Sequence, residues 1–166
     1  MSIRYLVCCF WFICFLTKAQ GNSGIYLEQY GISKDSINDL SFKDKDHFQG
    51  FIQAFEEKEG FQVPKFLIID DTGKLLKHKL DILISECGKG DVERLKKKYY
   101  KKLPDLYGIN TYFKEELQTP ESDNFIVIFI WHELMDEYNR HTFETYQAWK
   151  EDENISFYFL ELDFKD

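Results

Sequence analysis

The uninterrupted apolar run from Phe125 to Trp131 constrains the fold of this chain more than any other stretch. The run shows no alternation of apolar and polar residues, which is typical of a strand buried on both faces of a helix-covered sheet. His132 follows directly, and an amphipathic segment begins after it. Because sites in α/β folds tend to lie at the carboxyl ends of strands, we look for a site first at the junction of Trp131 and His132.

The segments after this run predict a β-α-β unit. Residues 133–150 carry larger side chains at intervals of three and four, which predicts one face of a helix: Met135, Tyr138, Thr142, Tyr146 and Trp149. Residues 155–164 form a second apolar run and predict another strand. A right-handed crossover through the helix would leave the two strands parallel.

The first half of the chain predicts a helix followed by a β-hairpin. Helical spacing of four apolar residues predicts a helix over residues 45–58: Phe48, Phe51, Ile52 and Phe55. Residues 65–69 predict a strand, residues 70–73 a turn that uses Gly73, and residues 74–79 the return strand. We expect a loop over 85–90, a helix beginning at Asp91 and a helix or broken helix over 103–118.

The first nineteen residues have the build of a secretory signal peptide. Arg4 precedes an apolar run of eleven residues over 6–16, which is too short to span a bilayer, and Thr17 and Ala19 supply small residues for cleavage. We expect cleavage after Ala19, a lead-in segment over 20–44 and one domain over 45–166. The short elements considered within the lead-in are an edge strand over 25–30 and an unassigned one over 36–42. The protein is then exported, periplasmic or extracellular, without a stable membrane anchor.

Removing that peptide changes both the charge and the cysteine count. Loss of Arg4 and Lys18 moves the formal net charge from −8 to −10, and Cys87 remains as the single cysteine. A surface this acidic argues against nucleic-acid binding, and the basic run over 94–102 is typical of a solvated helix face. A single thiol excludes an internal disulfide.

Several sequence segments resemble those of the thioredoxin-like family. Residues 60–74 resemble the segment in which a proline, here Pro64, precedes an apolar strand and a glycine turn. Residues 89–95 resemble the start of the family's last helix, Phe125–Trp131 its central strand, and residues 155–163 the strand after the active-site helix. The resemblance implies an α/β fold with a central mixed sheet and helices on both faces. Its halves stand in circularly permuted order, α-β-β-α before β-α-β.

The same resemblance implies that the family's redox chemistry is absent. Thiol–disulfide exchange needs an activated thiolate and a second cysteine to resolve the mixed disulfide. The matching positions fall within residues 132–135, which contain no cysteine. We therefore expect a non-catalytic module for a protein or peptide partner, with no cofactor or metal. Its expected binding residues are Pro64, Cys87, Trp131, His132 and Met135.

Other interpretations of these residues stay open at the level of sequence. Cys87 could make the chain a single-cysteine thiol enzyme or redox sensor, although a buried, inert thiol explains it as well. His132 and Met135 offer an imidazole and a thioether, which together suit copper, but two ligands are too few to specify a metal site. A histidine at a helix start beside a core methionine is the plainer interpretation.

Overall fold

The computed structural model describes residues 23–59, 66–77 and 98–163, and the chain divides into two units between Lys34 and Asp35. Several predicted features lie outside the described residues: the signal peptide, Pro64, the end of the return strand, the loop with Cys87 and the helix beginning at Asp91. No helix in the described ranges is both long enough and apolar enough to cross a membrane.

The first unit contains helix α1, Ser23–Glu28, where a short edge strand was considered from the sequence. The helix ends in a Schellman turn: the Ile32 N–H donates to the Leu27 carbonyl at 3.1 Å, and the Gly31 N–H donates to the Glu28 carbonyl at 2.9 Å. Gly31 has φ of 68°, a conformation that glycine adopts without the steric cost of a Cβ atom. This local turn chemistry, rather than strand pairing, defines the segment. A 3₁₀ turn, Lys34–Ser36, follows.

The second unit is built on a four-stranded mixed sheet. Its strands are β1 (Asn38–Leu40), β2 (Phe66–Ile69), β3 (Phe125–Trp131) and β4 (Ile155–Glu161), in the spatial order β1-β4-β3-β2. The predicted parallel β-α-β unit is confirmed, since β3 and β4 pair in parallel from Phe125 opposite Ile155 to Trp131 opposite Glu161. β1 is parallel to β4, whereas β2 is antiparallel to β3.

One face of the sheet packs against helix α2 (Lys45–Glu59), the short helix α3 (Leu106–Asn110) and the segment after it. Asp44 caps α2: it accepts from the backbone N–H of His47 at 2.9 Å and contacts the His47 ring at 2.7 Å. These contacts hold the pKa of the Asp44 carboxyl below its usual value. The buried side chains of this face come from strands, helices and loops alike: Leu40, Phe51, Phe55, Leu67, Ile69, Ile109, Phe113, Ile126, Ile128, Ile130 and Leu160.

The other face packs against helix α4, Asp136–Trp149, through aromatic rings. Phe129 lies at the centre of the cluster, with ring centroids of Phe159 at 5.3 Å, Tyr146 at 5.7 Å and Phe66 at 5.9 Å. Every residue of β3 from Ile126 onward is buried, as its non-alternating sequence predicts. Burying one such side chain contributes about 1.5–3 kcal/mol.

The predicted turn after β2 is confirmed, and Asp70 organises it. Its Oδ1 accepts from the Thr72 N–H at 3.0 Å, the Thr72 hydroxyl at 2.7 Å and the Lys74 N–H at 3.2 Å. Gly73 takes φ of 73°. The return strand is short among the described residues, since Leu75 and Leu76 form single bridges, to Ile69 and Tyr99 respectively.

The segment over 103–118 is helical only at α3. Asp105 caps this helix by accepting from the Gly108 N–H at 3.0 Å. Asn110 then binds both backbone groups of Leu117, at 2.8 Å to the carbonyl and 3.0 Å to the N–H. These two hydrogen bonds hold the chain in a turn after α3. Phe113 then forms an antiparallel bridge with Phe42 and does not continue the helix.

Candidate functional site

Trp131 ends β3 as a core residue. Its side chain is 2% exposed, and its ring packs against Phe143 of α4 at 6.1 Å. Its backbone carbonyl accepts from the Leu162 N–H at 2.8 Å, which joins the carboxyl ends of β3 and β4. Trp131 therefore shapes this end of the sheet from within rather than presenting its ring at the surface.

A four-residue turn, His132 to Met135, separates β3 from α4. The His132 carbonyl accepts from the Met135 N–H at 2.8 Å and from the Asn139 side-chain amide at 2.7 Å. The Asn139 N–H in turn donates to the Met135 carbonyl at 2.9 Å. These contacts delay the helix, which begins at Asp136 and not at the predicted residue 133. The turn is thus fixed by a buried side chain one helical turn further along.

The His132 ring is oriented by the same turn. Its Nδ1 accepts a hydrogen bond from the Leu134 N–H at 3.2 Å. Because an accepting Nδ1 carries no hydrogen, the neutral ring bears its hydrogen on Nε2. His132 is half-buried and is one of the residues that line a pocket.

The pocket is open and has a volume of about 490 Å³. Three parts of the chain supply its walls: one face of α2, the turn after β3 and the residue after β4. The lining side chains are Phe48, Gln49, Ile52, Gln53, His132, Met135 and Leu162. Its surface is mainly apolar, with two glutamine amides and one imidazole as polar groups. Among the described residues, the lining offers no carboxylate, hydroxyl or thiol, and the His132 imidazole is its one side chain able to exchange a proton near neutral pH.

Exposed apolar side chains lie close in the chain to residues of the pocket lining. Leu134, within the turn between His132 and Met135, is 84% exposed, and Tyr138 on the first turns of α4 is also exposed. A single exposed leucine is ordinary, but exposed apolar side chains grouped beside an apolar pocket are typical of an interaction site.

Two of the five predicted binding residues, His132 and Met135, are brought together in this pocket. Trp131 is buried in the core and is not among the lining residues, and Pro64 and Cys87 fall outside the described residues. Within the described ranges, no cluster of three or more histidine, cysteine, aspartate or glutamate side chains could hold a metal ion.

The α2 wall of the pocket was missed at the level of sequence. Their spacing places Phe48 and Ile52 on the same helical face as Phe51 and Phe55, which does not separate pocket residues from core residues. In the structure Phe51 and Phe55 are fully buried, whereas Phe48 and Ile52 are only partly buried. The available signal was that each of these two residues is followed by a glutamine, which places them at the border of the apolar face.

Among the described residues, Asp70 is the one buried carboxyl group with a shifted pKa, and its role is structural. Burial raises its pKa, but the hydrogen bonds from Thr72, Tyr99 and Lys74 outweigh burial and hold the pKa below its usual value. The Tyr99 hydroxyl donates to Asp70 Oδ2 at 2.7 Å, and the same bond raises the pKa of Tyr99. All these partners are backbone or hydroxyl groups of the fold, so Asp70 joins the hairpin to the segment that carries Tyr99.

Comparisons of this chain with protein-family models, with curated proteins and with solved structures found no match.

Proposed function

We propose that this chain is an exported, non-catalytic thioredoxin-like domain in permuted order, whose pocket binds an extended segment of a protein partner. Placing β3-α4-β4 ahead of α2-β2 and the hairpin gives the order of elements of that family. The antiparallel pairing of β2 with β3 supports this assignment, as does the packing of helices on both faces of the sheet.

The observation that carries the proposal is the position and chemistry of the pocket. It lies at the carboxyl end of the central strand, where the resemblance locates the family's redox cysteines. His132 and Met135 line it there, and they cannot perform thiol–disulfide exchange. An apolar pocket with a few polar groups is suited to accepting an apolar side chain.

The α2 wall favours an extended segment as the occupant. Gln49 and Gln53 both line the pocket and lie four residues apart, so their positions are separated by about 6 Å along the helix axis. Alternate residues of an extended peptide are about 6.8 Å apart, which is a similar spacing. Each glutamine amide can donate to a peptide carbonyl and accept from a peptide N–H.

The test begins with a phage-displayed library of random twelve-residue peptides selected on the purified protein. Synthetic peptides from the selection should bind with a dissociation constant on the order of 10–100 μM, which corresponds to a binding free energy of roughly −6 kcal/mol. Gln49→Trp, which adds an indole ring to the pocket wall, should weaken binding at least about tenfold, by about 1.4 kcal/mol. Fluorescence anisotropy of labelled peptides gives both constants.

Ala148→Trp is the matched control, because it adds the same ring at an exposed position of α4 that does not line the pocket. It should leave the affinity unchanged. Selected peptides that bind Gln49→Trp as tightly as the unmodified protein would place the binding site elsewhere and refute the proposal. A loss of binding with Cys87→Ser would instead favour a function based on the thiol.

A further inference from the structure

The pocket of the proposed function is bordered by acidic residues. Four carboxylates directly adjoin a lining residue in the chain: Glu133 follows His132, Asp136 follows Met135, and Glu161 and Asp163 stand on either side of Leu162. Neighbouring Cα atoms are 3.8 Å apart, so each carboxylate lies within about one Debye length of the pocket at 0.1 M salt.

Basic residues are scarce in the same segments. Residues 132–137 and 161–163 contain no lysine or arginine, and the α2 segment 45–53 contains Lys45 and one acid, Asp46. The acids therefore outnumber the bases in these segments, and the stretches of chain that supply the lining are together net negative. Glu133 and Asp163 are exposed, so their fields act on an approaching partner through solvent.

We infer that the partner segment is cationic as well as apolar: a large apolar side chain enters the pocket, and a lysine or arginine lies within one or two residues of it. This inference rests on the proposed function, since the apolar side chain is the anchor. The border charges then select among apolar segments, because an acidic segment would meet repulsion and a basic one attraction. Leu134, exposed on the same turn, adds apolar contact beside the anchor.

The test uses capped heptapeptides of sequence Gly-Ser-Xaa-Phe-Xaa-Ser-Gly, in which Xaa is lysine, serine or glutamate. At roughly 0.05 M salt the lysine peptide should bind about fivefold more tightly than the serine peptide, and the glutamate peptide more weakly than both. At roughly 0.5 M salt the lysine advantage should fall below about twofold, because the exposed charges are screened. Isothermal titration calorimetry supplies the affinities.

Two double variants test whether the acidic residues beside the pocket cause the preference for lysine peptides. Glu133→Gln combined with Asp163→Asn should remove most of the lysine advantage without changing the affinity of the serine peptide. Glu151→Gln combined with Glu153→Gln changes the net charge equally at exposed positions outside the pocket segments, and should keep the preference. Circular dichroism confirms that both double variants are folded.

The outcomes separate the two proposals. If the serine and lysine peptides bind equally well, the cationic preference is refuted while binding in the pocket stands. If a lysine peptide with glycine in place of phenylalanine binds as tightly as the phenylalanine peptide, attraction alone is at work and the inference fails. If no phenylalanine peptide binds with a dissociation constant below about 1 mM, a binding free energy near −4 kcal/mol, both the proposed function and the cationic preference fail.

Discussion

At the scale of single residues, Asp70 shows how a buried carboxylate can be structural rather than catalytic. It is 1% exposed, yet both of its oxygens accept hydrogen bonds. A buried acid with a shifted pKa is often taken as a sign of a functional site. Here its partners all belong to the hairpin and to the segment that carries Tyr99, so the lowered pKa reflects a contribution to folding stability.

Replacing Asp70 with asparagine should lower the free energy of unfolding by about 1–3 kcal/mol at pH 7, because charged acceptors make the stronger hydrogen bonds. The folded-state pKa of Asp70 is lowered, so its contribution is complete above the unfolded pKa near 3.9 and is lost as the pH falls through the folded value. Urea denaturation from pH 7 down to about pH 3 should therefore show the two proteins converging in stability.

Asp71→Asn is the control at the adjacent position. Asp71 is only partly buried, and its carboxylate accepts one backbone hydrogen bond, from the Asp123 N–H at 3.2 Å. We expect this substitution to change the free energy of unfolding by no more than about 0.5 kcal/mol. A difference between Asp70→Asn and the unmodified protein that stays constant down to pH 3 would contradict the assigned role of the charge.

At the scale of elements, the sequence predicted the helices and strands that have a continuous hydrophobic pattern. β3 has seven residues without alternation, and α2 and α4 have helical periodicity over several turns. β1 could not be assigned, since Asn38 and Asp39 are poor strand formers and the strand exists by pairing with β4, more than one hundred residues away. The start of α4 was placed three residues early because the hydrogen bond from Asn139 to His132 has no local signature.

This last contact gives a prediction for the turn that carries half of the candidate site. Asn139→Ala should lower the free energy of unfolding by about 1 kcal/mol, since the His132 carbonyl keeps its bond from Met135. The affinity for selected peptides should fall as well, because His132 and Met135 lose the clamp that fixes their turn. Urea denaturation and fluorescence anisotropy measure the two effects.

Thr145→Ala is the matched control within the same helix. Thr145 is buried, and its hydroxyl donates to the His141 carbonyl at 2.9 Å, away from the turn. Thr145→Ala should lower the free energy of unfolding by a similar amount while leaving the peptide affinity unchanged. Equal losses of affinity in the two variants would mean that general loosening of α4, and not the turn, is responsible.

At the scale of the whole molecule, the sheet explains which parts of the site were predictable. His132 and Met135 were found because they follow a recognisable strand, whereas the opposite wall comes from α2, nearly eighty residues earlier. Whether a helix residue faces the core or a pocket at its edge depends on how the helix lies on the sheet. Local periodicity leaves that choice open for border residues such as Phe48 and Ile52.

The expected export of the protein gives a prediction about its termini and thiols. When the full chain is expressed in a secreting bacterial host, the exported product should begin at Gln20, and denatured protein should react with one equivalent of a thiol reagent, at Cys87. A reducing agent should leave the melting temperature of the monomer unchanged, because a single thiol cannot form an internal disulfide. Intact mass, thiol titration and thermal denaturation check the three statements.

Ala19→Asp is the control, because it removes the small residue required next to the cleavage point. The uncleaved protein should stay with the cell membrane fraction and carry four titratable thiols after reduction, from Cys8, Cys9, Cys14 and Cys87. An unmodified product that is found in the cytoplasm with its first nineteen residues and all four thiols would contradict export. The cationic partner segments would then have to belong to proteins inside the cell.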